Sequence, residues 1–198
     1  MIDSERAQRV IDFIECLPIP SGKLKGTLFK LMDWEKDFIH GVYGPVDKDG
    51  MRIVRRGVLS MARKNGKTTL IAALVLVHLV GPEAIESGEL NSAATEREQA
   101  AIIFKQCARI IQAEPELAAM LTVVESTKRI ICYDNGSSYK ALSSEAGSKH
   151  GGEPSFVIYD ELAQAKNREL YDVLDTSMGT HAEPLFITIS TQNNDPQH

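Results

Sequence analysis

The sequence predicts an α/β fold with a mainly parallel central sheet flanked by helices, on three observations. Helical and strand-like segments alternate along the chain. Right-handed crossovers between such units place the strands side by side in one sheet. Asp134-Asn135-Gly136, between two strand-like runs, is a strong hairpin signal and adds a short antiparallel insertion. With 198 residues, 43% apolar and 25% charged, the chain fits one globular domain with a core of ordinary size.

Taken in order, Val10, Ile11, Phe13, Ile14 and Leu17 give the first segment a helical stripe, which Pro18 and Pro20 end. A second short helix is expected from about Trp34 to Val42, and residues 1–48 form an N-terminal helical lead-in to a core at 49–198. The second half of Met51 to Met61 has the apolar character of a central strand and feeds a glycine-containing loop. A helix from Lys67 to about Leu79 follows, then a strand at Glu89 to Ala94. Thr95-Glu96-Arg97-Glu98 reads as a capping box opening a helix whose apolar face includes Ile102, Ile103, Cys107, Ile110 and Ile111. Leu121 to Val124, Arg129 to Tyr133 and Ser138 to Leu142 are short strands, the last two joined by the hairpin. Phe156 to Tyr159 is a compact apolar strand, Asn167 to about Met178 a helix, and Leu185 to Ser190 a final strand.

A formal net charge of −5 argues against a protein that coats nucleic acid, so any contact with DNA or RNA must be local. Cys16, Cys107 and Cys132 are odd in number and widely spaced, which suggests neither a disulfide framework nor a zinc site and fits a reducing cytosol. Met1-Ile2-Asp3-Ser4-Glu5-Arg6 carries acids where a secretory leader carries bases. The longest apolar stretch, Leu70 to Val80, is far shorter than the roughly 20 residues that cross a bilayer, and reads as a buried helix.

Met61-Ala62-Arg63-Lys64-Asn65-Gly66-Lys67-Thr68 matches the last three positions of the Walker A phosphate-loop pattern, with Met61 where the first glycine usually stands. The chemistry explains the retained positions. Gly66 lets backbone N–H groups curl around a phosphate, Lys67 reaches the β and γ oxygens of ATP, and Thr68 offers a hydroxyl to Mg²⁺. Gly-Lys-Thr alone can precede a helix by chance; an apolar strand before it and a long apolar helix after it supply the setting the motif requires.

Phe156-Val157-Ile158-Tyr159-Asp160-Glu161 is an apolar strand ending in two carboxylates, the Walker B arrangement. In a parallel sheet, ligands bind beyond the carboxyl ends of the strands, which brings Asp160 to the rim that carries Lys67. Asp160 is then the Mg²⁺ residue and Glu161 the general base or water-orienting group. A solvated helix cap is the alternative for the pair taken alone. The second carboxylate favours hydrolysis over phosphoryl transfer to a small molecule. Ile187 to Gln192 ends a third strand with hydroxyl and amide groups that can sense the γ-phosphate, or simply form a polar strand end.

Together, Ser60 to Thr69, Phe156 to Leu162, Arg168 to Asp172 and Ile189 to Pro196 resemble the ATPase domain of tailed-bacteriophage terminase large subunits, from about Trp34 onward. The family commonly replaces the first Walker A glycine, which accounts for Met61. The resemblance implies a P-loop NTPase core that binds ATP and Mg²⁺ and drives double-stranded viral DNA into a procapsid. The motor works as a homo-oligomeric ring at the portal protein, with a small terminase subunit delivering the DNA, in the cytoplasm of an infected or lysogenic bacterial host and with no membrane. Lys64, Asn65 and Thr69 join Gly66, Lys67 and Thr68 in the nucleotide loop, and Arg63 matches the arginine that stabilises transition-state charge. Ser190, Thr191 and Gln192 match the coupling motif. Trp34 and Glu35 fall in the adenine-contacting segment; there the family often has Gln after Trp, and a carboxylate cannot donate the hydrogen bond that a glutamine amide can.

Full terminase large subunits continue into a metal-dependent nuclease domain. This sequence stops soon after Asp195-Pro196, so no endonuclease activity is expected of it, and the core can itself lack its last strands. Arg52, Arg55, Arg56, Lys128, Arg129, Lys140, Lys149 and His150 are candidates for a local DNA-facing surface, or are solvated charges. Two other readings compete with the packaging motor: a helicase-like translocating ATPase, and a nucleotide-binding or capsid-docking module without turnover.

Overall fold

A computed structural model describes residues 1–62, 66–143, 152–160 and 169–191. It contains α1 (Ser4–Glu15), α2 (Asp33–Tyr43), β1 (Arg56–Met61), α3 (Lys67–Leu79), β2 (Glu89–Ala94), α4 (Arg97–Ala113), α5 (Pro115–Met120), β3 (Leu121–Val124), β4 (Arg129–Cys132), β5 (Ser138–Ser143), β6 (Phe156–Asp160), α6 (Glu169–Ser177) and β7 (Leu185–Thr191). The seven strands form one sheet in the order β1-β7-β6-β2-β5-β4-β3. The first five in that order run parallel and β4 and β3 are antiparallel, so the α/β class and the antiparallel insertion are both present.

Period-2 alternation sorts β6 between two layers. Phe156 and Ile158 join the larger apolar cluster with α1, α2, α3 and α4. Val157 and Tyr159 turn to the opposite face and meet Leu170, Leu174 and Met178 of α6 and the 3-10 turn after it. Every residue from Leu70 to Leu79 is buried, so α3 is a core helix enclosed all round and not an amphipathic surface helix. Asn135 fastens the insertion to this helix. Its amide donates to the carbonyl of Leu79 at 2.9 Å while its Oδ1 accepts from the Ser137 N–H, and Gly136 takes the turn's positive φ of 72°.

Four expectations are corrected. β1 is an edge strand among the described residues, pairing only with β7. Its Val58 is 69% exposed, because the run alternates, with Gly57 and Leu59 inward and Val58 and Ser60 outward. The Thr95–Glu98 capping box does not form: α4 starts one residue later, its N-cap is Glu96, and no side chain caps it. Ile102 is half exposed while Ile103, Phe104, Cys107, Ile110 and Ile111 make the buried face. Arg52, counted among DNA-facing candidates, is fully buried. Lys149 and His150 lie outside the described residues, as do the first residues of the helix expected from Asn167.

The amino ends of β1 and β7 are held by ionic and backbone contacts. The Arg52 guanidinium donates to the carbonyls of Val54 and Glu183, and its backbone N–H to the Glu183 carboxylate. Arg6 of α1 reaches Glu83 at 2.7 Å and Glu183 at 2.8 Å. Above this network His78 of α3 stacks on Phe156, with ring centroids 4.0 Å apart, and its Nε2 lies 3.0 Å from the Tyr43 hydroxyl.

At the start of α2, Glu35 is buried and its Oε2 accepts the Met32 N–H at 2.8 Å, the reciprocal half of a helix cap. Burial raises its pKa, against the lowering effect of that N–H. Removing the cap in Glu35→Ala is expected to cost about 1 kcal/mol in urea unfolding. Glu35→Gln keeps the acceptor without the buried charge. A folded-state pKa above the unfolded one means that the carboxylate opposes folding once ionised, so the stability of Glu35→Gln relative to wild type should be higher at pH 7 than at pH 4.

Burial holds the His78 pKa well below its ordinary 6.5. Its contribution to stability is therefore complete above pH 6.5 and is lost as pH falls from there towards the folded-state pKa, with a slope of at most about 1.4 kcal/mol per pH unit. Urea unfolding of wild type and His78→Phe between pH 7.5 and 5 should show a shallower pH dependence in the variant; equal slopes would exclude His78 as a source.

Candidate functional site

Strand register builds the site. Ser60 lies opposite Ser190 and Met61 opposite Thr191 in the β1–β7 pair, and Asp160 lies opposite Ile189 in the β6–β7 pair. Ala93 faces Tyr159 in the β2–β6 pair, so the chain leaving β2 for α4 is level with Asp160. The carboxyl ends of β1, β7, β6 and β2 thus share one rim, where an open parallel sheet places its ligands.

On that rim Gly66 is the N-cap of α3 with φ of 76°, a left-handed conformation that glycine takes without strain. Its carbonyl accepts from the N–H groups of Thr69 and Leu70, which starts the helix. Lys67, the first residue of α3, is buried and donates from Nζ to the Ser190 carbonyl at 2.7 Å. This bond spans 123 residues. A buried ammonium needs partners of this kind, because desolvation penalises the charge. Thr68 and Thr69 are half-buried on the same turn.

Asp160 ends β6, is buried, and accepts from Gln99 Nε2 at 2.6 Å. Trp34 packs half-buried against the main core. Glu35 comes close to the loop: its Oε1 lies 3.9 Å from where a Cβ on Gly66 would stand. Its other oxygen is engaged in capping α2. Ser190 and Thr191 close β7. Arg63, Lys64, Asn65, Glu161 and Gln192 lie outside the described residues.

The structure therefore brings together Gly66, Lys67, Thr68, Glu35, Asp160 and Ser190, from elements scattered over more than 150 residues of chain. A hydroxyl on the first turn of α3 and a buried carboxylate at a strand end are hard oxygen donors of the type Mg²⁺ takes. Gln99 was not legible as a site residue; no motif marks it, and only the adjacency of β2 and β6 brings it to Asp160. A cavity of about 400 Å³ lined by Arg6, Arg52, His78, Glu83 and Glu183 lies at the opposite ends of the strands, and its paired charges belong to the structural network there.

No helix among the described residues is long and apolar enough to cross a membrane. Comparison with known proteins gives a consistent picture. The chain is 42% identical to the terminase large subunit of Enterobacteria phage HK97 over 192 residues, covering 94% of this chain and 37% of that protein. The crystal structure of the HK97 large terminase superposes with a TM-score of 0.83 at 39% identity, over 97% of this chain and 38% of the other. The large terminase ATPase domain of Thermus phage P74-26 shares the fold, with a TM-score of 0.59 at 18% identity, over 76% of this chain and 66% of that one. The chain thus spans a little over a third of the HK97 protein's length. The family described as the terminase large subunit ATPase domain matches residues 33–198, and this chain, with its phosphate-loop lysine and strand-end carboxylate on one rim, belongs to that family.

Proposed function

We propose that the chain is the ATP-hydrolysing motor domain of a viral DNA-packaging terminase large subunit, coupling hydrolysis to translocation of double-stranded DNA into a procapsid. The observation that carries the proposal is the shared rim, where the Lys67 ammonium sits at the end of β7 and Asp160 at the end of its neighbour β6. Membership of an ATPase family supports this reading over a module without turnover, and the terminase relationship supports it over a helicase-like translocase.

In this reading residues 1–48 are the lead-in, with Trp34 and Glu35 beside the base, and residues 49–198 are the catalytic core. The loop from Arg63 to Thr69 wraps the phosphates with backbone N–H groups, helped by the partial positive charge at the start of α3. Lys67 turns to the β and γ oxygens, which compete with the Ser190 carbonyl for its protons. Thr68 and Asp160 would hold Mg²⁺, which supplies neutralising charge to the phosphates when bound. Glu161 takes a proton from the attacking water, whose oxygen bonds to the γ-phosphorus as the bond to the bridging oxygen breaks and ADP leaves. Arg63 neutralises charge that develops on the transferred group.

Because Lys67 is tied to Ser190, loading the phosphates alters a contact at the head of the segment Ser190-Thr191-Gln192, and this links nucleotide state to movement. The working partners are duplex viral DNA, the portal protein, the small terminase subunit and further copies of the chain in a ring, in the cytoplasm of the bacterial host.

The test is steady-state ATP hydrolysis with Mg²⁺ over a range of protein concentrations, with and without duplex DNA, beside a direct nucleotide-binding assay. Lys67→Ala should weaken ATP binding by about tenfold or more. Glu161→Gln should keep binding and lower kcat by roughly 10²- to 10⁴-fold. Normal hydrolysis by Glu161→Gln would remove Glu161 from its role, and a wild-type chain that binds no ATP would overturn the reading as a whole.

A further inference from the structure

We infer that Gln99 is a positioning residue for the reaction: it fixes the Asp160 carboxylate from α4 and thereby sets the affinity of the site for the metal–nucleotide pair. The inference rests on the ATPase reading above and names a residue that reading does not use.

The geometry is specific. Gln99 Nε2 donates to Asp160 Oδ2 at 2.6 Å, short for an amide and a carboxylate, between side chains 61 residues apart. Its position in α4 explains why the amide is available. With Glu96 as N-cap, Gln99 is the third residue of the helix, where a glutamine ordinarily folds back to the N-cap backbone. Here it reaches across to β6 instead, at the cost of a local cap. Asp160 is buried at the end of a strand whose five residues are all buried, so solvent does little to orient its carboxylate.

Such a bond selects one rotamer of Asp160 and occupies one lone-pair direction of Oδ2. A carboxylate offers about four lone-pair sites, so Asp160 fixed in this way can still accept a cation or a cation-bound water at another of them. A carboxylate held in this way is pre-organised for its ligand, as the supporting contacts of metal sites generally are. The protein's own scaffold supplies the rigidity, because Ile103, Phe104 and Cys107 further along α4 are buried against the core.

The test uses the 198-residue chain and its Gln99→Leu variant, with a fluorescent ATP analogue titrated in EDTA and in Mg²⁺. Thermal unfolding identifies any variant that does not fold. Wild type should bind more tightly with Mg²⁺. Gln99→Leu should bind as wild type in EDTA but require about tenfold more Mg²⁺ for half-maximal tight binding, with a lower kcat at saturating ATP. A folded Gln99→Leu with wild-type Mg²⁺ dependence would overturn the inference and leave the ATPase reading intact. So would a Gln99→Leu defect that is equally large in EDTA, which marks a purely structural role. Failure of the wild type itself to bind ATP would instead overturn the ATPase reading and the inference with it.

Discussion

Parallel pairing of β6 with both β2 and β7 is the constraint on which everything at the rim depends. It sets Asp160 opposite Ile189, one residue before the Ser190 carbonyl that receives Lys67, and it brings the start of α4 level with Asp160. A slip of one residue would exchange Phe156 and Ile158 with Val157 and Tyr159 between two different apolar layers. Register is therefore enforced by burial on both faces, and the rim's geometry inherits that precision.

The two ends of the sheet divide the work. At the amino ends, Arg6, Arg52, Glu83 and Glu183 close a network that ties α1 and the segments entering β1 and β7 to one another. Its ions are partly or wholly withdrawn from water, and removal of one partner leaves a buried charge exposed to the full desolvation cost. That end is built to stay as it is. At the carboxyl ends, Lys67 donates to the Ser190 carbonyl and Asp160 accepts from the Gln99 amide, contacts that join α3 to β7 and α4 to β6.

Much of this was legible in the sequence, for reasons that can be traced to residues. The ten residues from Leu70 to Leu79 read as a buried helix and are one, and Gly66-Lys67-Thr68 ahead of them stand where that helix starts. Phe156 to Asp160 announced itself as a buried strand with a charged end. Local patterns failed where a neighbour decides. Val58-Leu59 reads as a central strand until alternation is weighed against the absence of a second partner strand for β1 among the described residues. Arg52 reads as surface charge, and nothing nearby in sequence reveals the carbonyls of Val54 and Glu183 that make its burial tolerable. Thr95 and Glu98 fit a capping box by spacing, yet the helix begins at Arg97, because α4 enters from β2 at a level set by the sheet.

The last of these differences has a physical consequence for how the rim can respond. Lys67 is tethered to a backbone carbonyl and Asp160 to a side-chain amide. A side-chain amide can follow a small shift of its partner by rotation about its own χ angles, which moves no backbone. The Ser190 carbonyl has no such freedom. It sits within a strand paired on both sides through Ser60 and, one residue earlier, through Asp160, so it can reorient only if the end of β7 moves with it. On the reading proposed above, competition by phosphate for the Lys67 ammonium therefore acts on the main chain of β7, whereas a cation's demand on Asp160 can be met within the side chains of α4. Of the two tethers, the one to Ser190 is the stiffer and the better suited to carry a displacement beyond the site.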